Sequence, residues 1–412
     1  MTRRFAMVMP ELPWPLDQGS RRFMFDAAML LKCHGQVDLF TREIGDQAEA
    51  IRTLEAQGFH LELDGSYRDQ RAGAKIGRRL GNELRAFRSS RPRELHYTAT
   101  PRLSEKLATR SEQVDYAAVV GVFWQTWPIM KLAPAGHRVL LISDVEHVRA
   151  ADADRIVQRR GSQKLQERLR RAEIEAWLAA DWLLCISELD AERARDALRD
   201  LDGAPEIAVW PIAFGSAPIA PRATRNDAKL ELLCYGHWEA PFNRDGLLWF
   251  LRELWGPVAG RFPDCSFRVA GKGLDAELRR LLAEVPSVEP LGWVESLSDE
   301  LLRADAAVIP LRYAGGLRYR LLEAIAAGCP VICSDVAAAG SAFLAGEHYI
   351  PANDATQLAD AMMALRGDRG RAAAVGMAER ASIELETSYG RDKAANELAR
   401  LIDRIGRHAS DE

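Results

Sequence analysis

The stretch Asp305–Ile332 reads DAAVIPLRYAGGLRYRLLEAIAAGCPVI, and it decides the fold. Ala306–Leu311 is an apolar run with the length and composition of a buried strand. Gly315 and Gly316 follow, then an apolar helical pattern, then a second strand-like run at Pro330–Ser334. Strand, glycine turn, helix and strand in this order make a parallel β-α-β unit. The charges in the helix are the unexpected part. Arg318, Arg320 and Glu323 stand in its first turns. A helix N-terminus offers unpaired N–H groups and a partial positive charge, and glycines before it let an anion approach the backbone. Arg320, one turn in, can reach the same anion with a planar fork. Glu323, three residues on, can accept from hydroxyl groups on the same helix face. Phosphates at the loop and a sugar hydroxyl pair at Glu323 describe a nucleotide diphosphate. An Arg320–Glu323 ion pair on a solvated helix start is the plainer alternative.

The same alternation runs along the whole chain. Strands are expected at Phe5–Met9, Val37–Thr41, His60–Leu63, Tyr116–Phe123, Arg138–Ser143, Trp182–Ile186 and Ile207–Trp210. A second series falls at Leu230–Tyr235, Ser266–Ala270, Val288–Leu291, Ala306–Leu311 and Pro330–Ser334. Helical patterns lie between them, the longest over roughly Ser162–Ala180. Pro211–Ala228 carries three prolines and no period, which marks a linker. At 412 residues the chain exceeds one ordinary core. The expectation is an α/β protein of two doubly wound domains, with the strand carboxyl ends facing a central cleft.

Composition narrows the function classes. Fifty-five basic and 59 acidic residues nearly balance, which argues against a general nucleic-acid binder. The six cysteines, at 33, 185, 234, 265, 329 and 333, form no CxxC pair. Several sit in apolar runs, as buried free thiols do, so a reducing cytoplasmic setting is expected. The N-terminal apolar run is too short for a signal-peptide core. The longest uncharged stretch, Tyr116–Met130, is broken by Gln125, Thr126 and Pro128 and falls short of a membrane span.

The segment VEPLGWVESLSDELLRADAAVIPLRYAGGLRYRLLEAIAAGCPVICSD (Val288–Asp335) resembles the donor-binding region of GT-B glycosyltransferases of retaining family 4. LLCYGHWEAPFNRDGLLWFLREL (Leu232–Leu254) is similar to that family's first strand, loop and helix of the C-terminal domain. AGEHYIPANDATQLADAMMAL, TSYGRDKAANELARLI and the N-terminal MPELPWPLDQGSRRFMFDAAMLL extend the likeness over nearly the whole chain. The resemblance implies a GT-B fold of two Rossmann-like domains. The acceptor domain would occupy residues 1–212 and the donor domain 213–388, with 389–412 a helix returning toward the first. It implies a sugar transferred from a nucleotide diphosphate sugar to a glycan or lipid-linked acceptor, with retention and without a cofactor or metal. Glu323 matches the second glutamate of the family's E-x7-E motif, the one that holds the ribose. The place of the first glutamate falls in the glycine pair Gly315–Gly316, eight residues before Glu323 at Gly315, as in some exopolysaccharide-associated branches. Arg320 stands in place of the lysine that contacts the diphosphate. Gly315, Gly316 and Leu317 form the loop before it. The second cationic position falls near Asn243 and Arg244, of which only Arg244 is charged. Gly271 and Gly273, with Gly292 and Trp293, match the backbone lining of the base pocket.

Other constellations carry two readings each. Gly19 in LDQGSRR could face donor phosphates, or be a plain turn. Asp144, Glu146 and His147 follow a strand end, where a carboxylate or imidazole could take the acceptor's proton; a polar loop without chemistry is the alternative. Asp152–Asp154 (DAD) lies in a helical pattern and reads as a solvated face rather than a metal site. AGKG lacks P-loop spacing, and no HExxH or Cys/His cluster points to a metal. Trp124 and Trp127 read as packing. From Arg68 to Arg110 twelve Lys or Arg face four acidic residues, with Ile76, Leu80, Leu84 and Phe87 on another helical face. Such a surface suits an anionic membrane at which a lipid-linked acceptor is presented, or is simply solvated. Two competing functions remain: a nucleotide-sugar 2-epimerase, which needs more acidic and histidine residues converging on the sugar, and a non-catalytic nucleotide-sugar binder, favoured by Gly316. Donor hydrolysis or transfer above background separates enzyme from binder.

Overall fold

The computed structural model describes residues 3–68, 71–89, 92–134, 136–158, 163–214 and 229–411. The chain forms two compact units, Met1–Ala213 with Asp392–Glu412, and Phe214–Arg391. Residues 215–228, most of the expected linker, lie outside the described residues.

The first unit holds β1 (Arg4–Val8), β2 (Gln36–Ile44), β3 (His60–Tyr67), β4 (Ala118–Val122), β5 (Arg138–Ile142), β6 (Trp182–Cys185) and β7 (Glu206–Val209). They form one parallel sheet in the order β3-β2-β1-β4-β5-β6-β7. β1 and β4 are buried along most of their length, as strands covered by helices on both faces must be. The helix Arg391–Asp411 closes the unit: Arg3 pairs with Asp403 at 2.9 Å, and the Arg404 guanidinium lies 5.0 Å from the Trp182 ring centre.

The second unit holds β8 (Leu230–Tyr235), β9 (Cys265–Ala270), β10 (Val288–Gly292), β11 (Ala306–Ile309), β12 (Val331–Cys333) and β13 (Ile350–Pro351). Its sheet is also parallel, in the order β10-β9-β8-β11-β12-β13. Phe250, Trp255 and Phe267 stack at its core, with Phe250 and Phe267 4.7 Å apart between ring centres. Each expected strand is present within a few residues. The two-residue β13 was not expected, because so short a run has no period to read.

Chain order reverses between β1 and β4 in one sheet and between β8 and β11 in the other. In doubly wound sheets the crevice at such a switch point, outside the strand carboxyl ends, is where ligands bind. In the second unit that point falls between the loops after Tyr235 and after Ile309. The second is the glycine turn of the opening stretch.

Candidate active site

Glycines at the end of the second sheet let three loops close on one another. Gly271 has φ 122°, and a Cβ there would stand 1.9 Å from the Gly236 carbonyl oxygen. No other residue fits this crossing. Gly273, at φ 83°, would strike the backbone of Glu239. The Gly271 amide donates to the Gly292 carbonyl at 2.6 Å, bringing the turn after β10 to the same place. On the other side Gly246, in the helix Pro241–Trp249, admits the Pro310 carbonyl, which a Cβ would meet at 2.0 Å.

Arg320 enters this crossing from below. The helix begins at Tyr319, two residues later than the glycine pair suggests, so Gly315, Gly316 and Leu317 form a loop in front of it. Gly316 has φ 66°, a left-handed conformation that a residue with a Cβ would adopt only with strain, so its own backbone accounts for glycine there. The first glutamate of the motif would stand one residue earlier, at Gly315. Leu317 is buried at 7% exposure. Arg320 Nη1 donates to the Tyr235 carbonyl at 2.7 Å, and Tyr235 Oη donates back to the Arg320 carbonyl at 2.5 Å. This lock holds the guanidinium against Gly236, where an added Cβ would meet Nη1 at 2.9 Å. Arg320 Nη2 is shut off from solvent and has no hydrogen-bond partner among the described residues. Burial pulls the Arg320 pKa down, with the neighbouring Glu323 charge acting in the opposite sense. A buried guanidinium donor with nothing to donate to is costly unless an acceptor arrives.

A second unpartnered group stands beside it. Asn243 is 5% exposed; its Nδ2 donates to the His237 carbonyl at 2.9 Å, and its Oδ1 is buried without a partner among the described residues. Its amide lies 3.5 Å from the same point above Gly236 that Arg320 approaches. Arg244, the charged residue of that pair, turns elsewhere. It bridges to Asp275 at 2.8 Å and Glu277 at 3.0 Å, tying its helix to the next one. The structure brings Asn243, not Arg244, to Arg320. Only the facing of the helix Pro241–Trp249 distinguishes the two. Trp293, at the end of β10, is 58% exposed and carries the Lys272 ammonium 4.4 Å from its ring centre. Glu323 is half-buried one turn along the helix from Arg320, and its charge also helps raise the Tyr235 phenol, which burial pushes up first.

In the first unit, Asp144 and His147 lie after β5 at the start of the helix Glu146–Ile156. That helix has no side-chain cap of its own. Glu173, fully buried on the helix Gln163–Leu178, supplies one from outside, accepting from the backbone amides of Glu146 at 2.9 Å and His147 at 2.6 Å. It also accepts from His147 Nδ1 at 2.7 Å, which leaves Nε2 as the basic nitrogen of the ring. His147 lines a cavity of about 350 Å³ with Ala151, Gln163, Gln166, Glu167 and Arg170. Asp144 is taken up by Arg149 at 2.5 Å, which also approaches Glu146 at 3.5 Å. Trp124 Nε1 donates to Glu146 at 2.6 Å, and burial raises the Glu146 pKa to about 7.

Glu173 was not anticipated, although a carboxylate beside the buried Ala172, Ala176 and Trp177 was a visible signal. Nor was Phe123, at the end of β4 beside the first sheet's switch point. Its φ of 65° and ψ of 151° lie in a region nearly reserved for glycine. Such strain, of about 1–3 kcal/mol, tends to be kept at functional sites. Gly19 opens the helix Gly19–Lys32 with open space where a Cβ would point. Asp152–Asp154 lie on the helix Glu146–Ile156, where Asp152 pairs with Arg155 and Asp154 accepts from Gln166. Trp124 and Trp127 are core residues. Among the described residues no group of three or more His, Cys, Asp or Glu is placed to hold a metal ion. The cysteines are free, five of them buried, and no described helix is long and apolar enough to cross a membrane.

Two parallel α/β units with glycine-crossed strand ends define the class of fold. Residues 229–368 match the family Glycosyl transferases group 1, so the second unit carries a glycosyltransferase domain of that group. The chain is 33% identical over 139 residues to phosphatidyl-myo-inositol mannosyltransferase of Mycobacterium leprae, covering 32% of this chain and 36% of that protein. The chain thus spans about a third of the length of the curated relative it matches. Among solved structures it is similar to sucrose-phosphate synthase of Thermosynechococcus elongatus, with a TM-score of 0.69 at 16% identity over 98% of this chain and 99% of that one. It is also similar to Anabaena HepE, solved with UDP and glucose, with a TM-score of 0.64 at 12% identity over 98% and 100% of the two chains. The fold is that of the GT-B class.

Proposed function

We propose that the protein transfers a sugar from a nucleotide diphosphate sugar to a glycan or lipid-linked acceptor, with retention and without a metal ion. The observation that carries this is the unpartnered, solvent-excluded Arg320 Nη2 beside Asn243 Oδ1, at a switch point where glycines bare the backbone. A diphosphate oxygen would give Nη2 its acceptor. In the reaction the bond from the anomeric carbon to the phosphate oxygen breaks, and a bond from that carbon to the acceptor oxygen forms. Negative charge grows on the leaving diphosphate, where Arg320 and the loop Gly315–Leu317 can stabilise it. Glu323 holds the ribose hydroxyls, and Trp293 and Gly271 border the base. The acceptor proton needs a base, and His147 Nε2, with Nδ1 held by Glu173, is the candidate. Asp144, bound to Arg149, holds the same loop. HepE, solved with UDP and glucose, and a relative named for a phosphatidyl-inositol acceptor support the donor and acceptor classes. A lipid-linked acceptor would bring the protein to the cytoplasmic face of a membrane as a peripheral enzyme, engaged through residues 68–110. The test is calorimetric titration with UDP, GDP, ADP and TDP, followed by donor turnover with the one that binds. Binding of none overturns the proposal; binding without turnover leaves the non-catalytic nucleotide-sugar binder in its place.

A further inference from the structure

The helix Gln163–Leu178 changes character along one face. Gln163, Gln166, Glu167, Arg170, Glu173 and Trp177 follow at helical spacing and fall on a single stripe. The last two are fully buried, as a packing face requires. The first four are polar, and they turn toward the helix Glu146–Ile156, whose facing stripe is His147, Ala151 and Asp154. Polar pairs join the two helices near each end of this seam. At one end His147 Nδ1 donates to Glu173 at 2.7 Å; at the other Gln166 donates to Asp154 at 2.6 Å. Helices that pack closely interdigitate their side chains between such ends. Here no residue of the helix Glu146–Ile156 is fully buried, and the cavity of about 350 Å³ takes the place of a core. Its size falls in the range of about 300–1,000 Å³ that small-molecule sites occupy.

The charges along the seam select the ligand. Glu173 serves His147 and two backbone amides, Asp154 accepts from Gln166, and Glu167 pairs with Arg171 at 3.2 Å. Arg170 lines the cavity without an ion pair among the described residues. From Gln163 to Arg171 four Lys or Arg stand against one acidic residue, so the wall is net positive. The Gln163 amide and His147 Nε2 add positions that suit hydroxyl groups. An apolar ligand would leave these groups unpaired, and a cation would meet Arg170. A sugar with a negative charge uses all of them.

We propose that this cavity binds a sugar ring carrying a carboxylate or a phosphate ester, with the anion on Arg170 and ring hydroxyls on Gln163 and His147 Nε2. This rests on the reading of the protein as a glycosyltransferase and narrows its acceptor to an acidic glycan, because His147 Nε2 is the base proposed for the acceptor hydroxyl. The full chain is titrated with glucose, glucuronate and glucose 6-phosphate, followed by saturation-transfer NMR. Binding is expected for one or both acidic sugars and not for glucose; whichever binds identifies the charge as carboxylate or phosphate. Arg170→Ala should weaken it about tenfold, the lower end for a charge-assisted contact because Arg170 is exposed. Arg170→Lys should weaken it less. Ala151→Leu fills the cavity from an exposed helical position and should abolish binding without disturbing the helix. Arg280→Ala, which removes an exposed guanidinium beside Glu284 in the second unit, should change nothing. Nucleoside diphosphate affinity and circular dichroism should be unaltered throughout. Equal binding of glucose and the acidic sugars overturns the proposal, as does binding that Arg170→Ala and Ala151→Leu leave intact, or no binding of either acidic sugar. Acidic-sugar binding lost in both variants, by a protein that binds no nucleoside diphosphate, would keep this site and overturn the glycosyltransferase reading alone.

Discussion

Truncating Arg320 tests the donor site most directly, because its guanidinium does two separable things. Nη1 is spent on the Tyr235 carbonyl, which is structural, while Nη2 has no partner among the described residues. Arg320→Ala removes both. Loss of the first leaves a buried carbonyl unpaired beside a cavity, which costs stability by about 1–3 kcal/mol. Loss of the second is invisible until a diphosphate is present. It should then cost about 1.5–3 kcal/mol of binding, a fall in affinity of about ten- to a hundredfold. Turnover should fall further if charge on the leaving group grows in the transition state. Arg320→Lys should recover part of the affinity as a point charge, but not the fork that serves both partners at once. Arg320→Met retains much of the volume without charge and should behave like alanine in binding and better in stability. The assay pairs calorimetric titration of the nucleoside diphosphate with thermal unfolding on the same preparations. Lower stability with unchanged affinity in all three variants would refute the reasoning and make Arg320 a strut between the helix Tyr319–Ala326 and β8.

Gly271→Ala should lower stability by at least about 2 kcal/mol, since its Cβ would overlap the Gly236 carbonyl at a left-handed φ; Gly19→Ala, in open space, should change it by less than about 0.5 kcal/mol, and thermal unfolding distinguishes them. Glu146, raised to about 7 mainly by burial, binds a proton more tightly folded than unfolded. Its contribution is therefore fully present below the ordinary carboxylate pKa near 4.5 and is lost as pH rises through about 7. Glu146→Gln should flatten the difference in unfolding temperature across that window; an unchanged pH profile would refute the assignment. Glu173→Gln keeps the shape but loses the charge that orients His147 Nδ1–H, so turnover should fall with nucleoside diphosphate affinity unchanged, whereas a pure helix cap would lower the unfolding temperature alone. Activity should persist in EDTA; abolition by EDTA with restoration by Mn²⁺ would overturn the metal-independent reading.

The alternation of strands and helices was legible in the sequence because each step is long enough to show its period. So was the glycine turn before Arg320, where Gly316 takes a left-handed φ of 66° that residues with a Cβ adopt only with strain. What a linear pattern lacks is direction. Asn243 and Arg244 are neighbours on one helix, and only the way that helix sits on Pro310 turns the amide to Arg320 and the cation to Asp275 and Glu277. Glu173 and His147 stand 26 residues apart, so their pairing exists only once two helices are docked. The period of Ile76, Leu80 and Leu84 was equally plain in the sequence, and a periodic stripe ordinarily faces a core. That this one faces solvent was decided in three dimensions, where Asn82 and Arg78 meet Tyr67 and claim the inward side. Periodicity establishes that a helix has an apolar face, but the contacts made by its opposite face determine which way that face points.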